Sequence, residues 1–218
     1  MTGLPDPARS LDGCPLVIFI AYTVGREAEA NGYPDWLRRV DMPFFNAVPG
    51  TRHYANWRLG DILTGPPPAW DWFDFQGLEA ETDLERVWFN PGLDDFRANW
   101  IRLWGYGTTE PPPVLRHAYV MRPVGGQRPA AGARTATLSG GIGAPPRDGS
   151  ADMVFRVEGT LHKHFGGRDE SRPWLTPASE LNPLGLDWIA VGWGSPPTLP
   201  DATLAARATL VAAPDLEV

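Results

Sequence analysis

The sequence predicts an α+β fold, with alternating strand and helix signals in the first half and a β-rich second half. Three observations predict it. Leu16–Val24 is continuously apolar and rich in β-branched and aromatic residues. Two stretches with apolar side chains at helical spacing separate strand-like segments before residue 124, and no such stretch recurs after it.

Leu16–Val24 reads as a buried central strand. A polar loop, Gly25–Gly32, leads to Pro34 and Asp35, which open a helix carrying Trp36, Leu37, Val40 and Phe44. Pro43 should bend or end it. Thr51–Leu59 alternates as the second strand, with His53 and Trp57 on one face and Tyr54, Asn56 and Arg58 on the other. Trp72–Glu79 is the third. Thr82 and Glu85 form a capping box for a second helical region, interrupted at Asn90-Pro91 and resumed with Leu93, Phe96, Trp100, Leu103 and Trp104. Val114–Met121 is the fourth strand. The order β-α-β-β-α-β is the ferredoxin-like pattern.

Beyond residue 124 the pattern changes. Gly125–Gly149 is rich in Gly, Pro and Ala and reads as a connector or long hairpin. Asp152–Phe165, Asp187–Trp193 and Ala205–Ala212 read as strands. The expected organisation is a ferredoxin-like unit over 1–124 and a β-rich, Gly/Pro-rich extension over 125–218 packed on it.

Composition narrows the function. The formal charge of −7 and the lack of a basic cluster argue against nucleic acid as a partner. The longest apolar run is about half of the ~20 residues a membrane span needs, so a cytoplasmic protein is expected. A single cysteine, Cys14, excludes an intrachain disulfide and a thiolate zinc cage. Lys163 is the only lysine, hence the only candidate for Schiff-base chemistry. Seven of the ten tryptophans (Trp36, Trp57, Trp70, Trp72, Trp88, Trp100 and Trp104) lie in the first half, which implies a wide core or an aromatic-lined pocket. No GxGxxG, P-loop or GxSxG motif occurs.

Over the first ~120 residues the chain resembles the dimeric α/β-barrel superfamily. The resemblance rests on the strand order, on Asp41-Met-Pro-Phe-Phe-Asn-Ala-Val-Pro-Gly-Thr entering the second strand, and on Trp88-Phe-Asn-Pro followed by Phe96-Arg-Ala-Asn-Trp. It implies a homodimer whose sheets pair into a barrel around a pocket. That superfamily includes polyketide cyclases, cofactor-free monooxygenases, lactone isomerases and haem proteins, so the shared fold does not settle the chemistry.

Several residues are candidates for chemistry. Strand alternation puts Arg156, Glu158, Thr160, His162 and His164 on one face, where the two histidines could bind a metal or pass a proton with Glu158 in support; a solvated strand face is the alternative. His53 with Trp57, or Tyr54 with Asn56 and Arg58, would line the pocket and bind substrate; the alternative is that Trp57 packs under a helix and His53 is a satisfied core residue. Asp41, beside Phe44 and Phe45, could be a general base or could satisfy loop amides. His117 and Tyr119 also share a face.

The expected function is proton transfer next to a carbonyl, as in a cyclase, isomerase or C–C lyase, on a hydrophobic aromatic or polyketide-like substrate. His162, His164, Glu158 and Asp41 are the expected catalytic residues; no metal and no organic cofactor are assigned. The alternatives are a metal- or haem-dependent enzyme using His162 and His164, and a small-molecule binding protein.

Overall fold

The chain forms nine strands, whose successive side chains point to opposite faces of the sheet: β1 (Val17–Tyr22), β2 (Thr51–Thr64), β3 (Trp72–Leu78), β4 (Arg116–Gly125), β5 (Thr135–Gly141), β6 (Met153–Leu161), β7 (Leu175–Pro177), β8 (Trp188–Trp193) and β9 (Leu204–Ala212). The computed structural model describes residues 11–25, 27–105, 116–126, 133–146, 149, 151–162, 168–194 and 199–214. Eight strands follow one another as β4-β1-β3-β2-β9-β5-β8-β6, and β6 returns to β4, closing the sheet. Every pairing is antiparallel, and β7 lies beside the end of β6.

This closed barrel corrects the expected fold class. The first four strands do not form a ferredoxin-like sheet with free edges, and the chain is not of the dimeric α/β-barrel type. The edges at β2 and β4 are taken by β9 and β6 of the same chain. Closure within one chain removes those edges, and with them the argument for a homodimer. The second half is therefore no covering layer: β5, β6, β8 and β9 complete the barrel wall. Gly125–Gly149, expected as a connector or long hairpin, contains β5, which pairs with β8 and β9.

The inward side chains make one apolar core that includes Phe19, Trp57, Phe73, Phe75, Tyr119 and Phe155. Phe75 and Phe155 lie 5.8 Å apart between ring centroids, although two strands separate β3 from β6. Trp57 and Trp193 span β2 and β8 in the same way at 5.6 Å. At these levels side chains fill the barrel, as its eight-stranded diameter allows.

A second apolar layer covers the outside of β1, β3 and β4. It is built by α1 (Tyr33–Trp36), a π-helical segment Leu37–Asp41, α2 (Met42–Asn46), α3 (Asp83–Trp88), α4 (Gly92–Trp100) and a second π-helical segment, Ile101–Gly105. Pro43, expected to bend or end the first helix, is absorbed: it has no amide hydrogen for the carbonyl four residues back, and the widened turn directly precedes it. The capping box does not form. Thr82 makes no side-chain cap, and the Asp83 carboxylate accepts from the Ala80 amide at 3.1 Å. The later helix has Pro91 at its N-cap and no side-chain cap there; Asn90, one residue earlier, accepts from the Gly92 amide at 3.0 Å.

Candidate functional site

The chemistry-bearing side chains gather between the barrel wall and this helical cover. On β2, Tyr54 and Asn56 point outward while Ala55 and Trp57 point inward; on β3, Trp72, Asp74 and Gln76 point outward between Phe73 and Phe75. The register puts Asn56 opposite Asp74. Tyr22 comes from the end of β1, Tyr33 from α1, Trp100 from α4, and Asp41 is the last residue of the first π-helical segment. All are buried; Asp41 and Asp74 are each 3% exposed and Asn56 is 0% exposed.

Asp41 and Asp74 converge on the same two partners. The Tyr54 hydroxyl oxygen lies 2.8 Å from Asp41 Oδ2 and 2.8 Å from Asp74 Oδ2. The Asn56 amide donates to Asp41 Oδ2 at 2.8 Å and to Asp74 Oδ1 at 2.9 Å, and lies 3.1 Å from the Tyr54 oxygen. Trp100 Nε1 donates to the Tyr33 hydroxyl, Tyr33 to Tyr22, and Tyr22 to Asp74 Oδ1 at 3.1 Å. Burial, followed by the nearby Asp charges, pushes Tyr22, Tyr33 and Tyr54 well above the ordinary phenol range, so all three stay protonated as donors.

Two buried polar atoms on this face have no hydrogen-bond partner. Asn56 Oδ1 is an acceptor and Trp72 Nε1 is a donor. Asn56 and Trp72 are diagonal neighbours across β2 and β3, because Asn56 pairs with Asp74 and Arg58 with Trp72. Trp104 Nε1, close to the same Tyr33 ring, is a third such atom. The face thus carries one unpartnered acceptor and one unpartnered donor on neighbouring strands.

Three residues singled out in the sequence, Asp41, Tyr54 and Asn56, are thus brought together. The others are not part of this cluster. His53 and Trp57 lie on the opposite face of β2, and Trp57 stacks on Phe73 at 6.2 Å inside the barrel. The β4–β6 register skips Glu158, a β-bulge that interrupts the expected alternation. Arg156 stays exposed, whereas Thr160 is buried and donates to the Leu181 carbonyl at 2.9 Å. Glu158 instead accepts from Arg122 at 3.0 Å and Arg156 at 2.8 Å near the surface. His162 Nε2 lies 2.9 Å from Thr176 Oγ1, and His164 lies outside the described residues. His117 follows the inward-facing pattern of Tyr119, and burial lowers its pKa.

Asp74, Tyr22, Tyr33 and Trp100 were not singled out in the sequence. For Asp74 a signal existed: a lone carboxylate inside the run Trp72–Phe75 must be buried and must find donors. A separate groove of about 430 Å³, lined by Val124, Gly125, Pro145, Pro146 and Arg156 among others, lies at the β4–β6 side. Among the described residues no group of three or more His, Cys, Asp or Glu could hold a metal ion, and no helix is long and apolar enough to cross a membrane.

Fold and site together define a closed antiparallel barrel with an acid–tyrosine cluster sealed under a helical cover. Comparison with protein families, curated proteins and solved structures finds no match for this chain, so no relative supports the lyase, isomerase or cyclase classes.

Proposed function

We propose that this chain is an enzyme that moves a proton next to a carbonyl group of a small hydrophobic or aromatic molecule, using the Asp41–Tyr54–Asn56–Asp74 cluster. The observation that supports it is the convergence of two buried carboxyl groups on one hydroxyl and one amide. One carboxylate takes the proton from the carbon beside the carbonyl. The Tyr54 hydroxyl or the Asn56 amide donates to the oxygen on which the enolate charge develops. The unpaired Trp72 Nε1 and Asn56 Oδ1 would orient the rest of the polar group, and the surrounding rings of Tyr33, Trp72 and Trp100 suit an aromatic body.

Access would come through the cover. The π-helical segment that ends in Asp41 forms part of the surface, with Val40 41% exposed, so a shift of this one segment would open the cluster. The test is hydrogen–deuterium exchange at the α-carbon of a panel of aryl ketones and 1,3-diketones in D2O, followed by proton NMR. Exchange above the buffer rate, lost in Asp41→Asn, is expected. Exchange at the buffer rate across the panel would overturn the proposal, and a ketone that binds without exchanging would point to a binding protein.

A further inference from the structure

We infer that Asp41 and Asp74 hold one proton between them at neutral pH, joined through the Tyr54 hydroxyl. The hydrogens can be counted. A phenol has one hydrogen, yet the Tyr54 oxygen stands 2.8 Å from a carboxyl oxygen of each aspartate. Where Tyr54 gives its hydrogen to one aspartate, the other oxygen–oxygen contact at 2.8 Å is a full hydrogen bond only if that second carboxyl carries a hydrogen and donates it to Tyr54. Were both aspartates bare carboxylates, the second would turn an oxygen lone pair on the Tyr54 oxygen, in a setting where burial strengthens the repulsion.

The neighbouring contacts do not raise the same difficulty. Asn56 has two amide hydrogens, directed at Asp41 Oδ2 and Asp74 Oδ1. Tyr33 spends its hydrogen on Tyr22, and Tyr22 spends its own on Asp74 Oδ1. Only at Tyr54 do two carboxyl oxygens meet a single hydrogen. The Asn56 Oδ1 atom in the same cluster is buried and without a partner. The proton belongs to the pair, as in other closely coupled acids, and is not assigned to one aspartate.

Stored in this way, the proton makes the site an acid and a base at once: one aspartate accepts from substrate carbon while the other returns a proton to the enolate oxygen or to carbon. That use rests on the proton-transfer reading above, whereas the presence of the proton does not.

The experiment is infrared difference spectroscopy of the whole chain at pH 7, with 13C-aspartate labelling to separate aspartate from glutamate. The expected result is one protonated aspartate per chain, seen as an isotope-shifted carboxylic C=O stretch that moves in D2O and disappears in both Asp41→Asn and Asp74→Asn. In Tyr54→Phe the band should change frequency, because its hydrogen-bond partner is gone; this variant serves if an Asn variant does not fold. A wild-type chain without the band, a band retained in both Asn variants, or a band unmoved by Tyr54→Phe would overturn the inference. No substrate enters the measurement. A chain that shows the band but exchanges no α-hydrogen refutes the proton-transfer reading and leaves the shared proton standing.

Discussion

The two halves of the barrel wind their strands alike and carry different chemistry. Around the wall the first half runs β4-β1-β3-β2 and the second β9-β5-β8-β6, which is fourth, first, third, second in both. All neighbours are antiparallel, so corresponding strands point the same way. The outer face of β1-β3-β2 carries Tyr22, Trp72, Asp74, Gln76, Tyr54 and Asn56 beneath helices. The corresponding arc carries Thr137 and Ser139 on β5, Trp188 and Ala190 on β8, and Val154 on β6, with Ala151 and Leu199 from loops packed on it. A wall of the same winding is built without buried acids. The acid cluster is thus not something this strand order demands, and its confinement to one half is what makes it a candidate for function.

The comparison breaks most readily through the part both halves share. Phe75→Ala removes a ring that reaches across the interior to Phe155, and should lower stability by about 3–5 kcal/mol in urea denaturation. A change much smaller than this would mean that the two halves do not depend on a common core. Tyr54→Phe acts on the first half alone. It leaves carboxyl oxygens of Asp41 and Asp74 without their hydroxyl partner, at a cost of about 1–3 kcal/mol, and should abolish exchange activity. Gly141→Ala acts on the second half alone. A Cβ there would sit 2.3 Å from the Trp188 ring, so about 1–3 kcal/mol of overpacking is expected with exchange activity retained.

The same glycine shows why the sequence misled at this point. β5 ends in Gly140-Gly141 because Leu186 and the Trp188 ring press on it, and a strand punctuated by glycine for packing reads like a connector. Closure was equally hidden. The β2–β9 and β4–β6 pairings join segments far apart in sequence and contain register shifts, which local alternation does not encode. Alternation did place Tyr54 and Asn56 on one face, and the apolar surroundings of Asp41 marked it as unusual. It failed at Glu158, where a bulge that leaves no mark in the sequence separates Arg156 from Thr160. Asp74 was passed over because its neighbours Phe73 and Phe75 made the segment read as plain core.

The smallest effect concerns Glu158. Burial works to raise its pKa, but the hydrogen bonds from Arg156 and Arg122 outweigh burial and hold it below the usual carboxylate range. A lowered folded-state value means that its contribution is present above the unfolded value of 4.5 and fades as pH falls through the folded value. Because the ion pairs lie near the surface, where Arg122 and Arg156 are themselves partly open to solvent, the contribution is under about 1 kcal/mol. Glu158→Gln should therefore lower the urea midpoint slightly at pH 7 and not at pH 2. An equal loss at both pH values would show that packing, not charge, is what Glu158 supplies.

The proposed seat of proton chemistry is the helix-covered half. It is tested most directly by measuring α-hydrogen exchange and the urea midpoint on the same preparations of wild type, Asp41→Asn and the second-half variant Thr137→Ala. Asp41→Asn should lose exchange while remaining folded, and Thr137→Ala should keep exchange even where its midpoint falls further. Exchange that survives in Asp41→Asn, or that follows the midpoint in all three proteins, would contradict it.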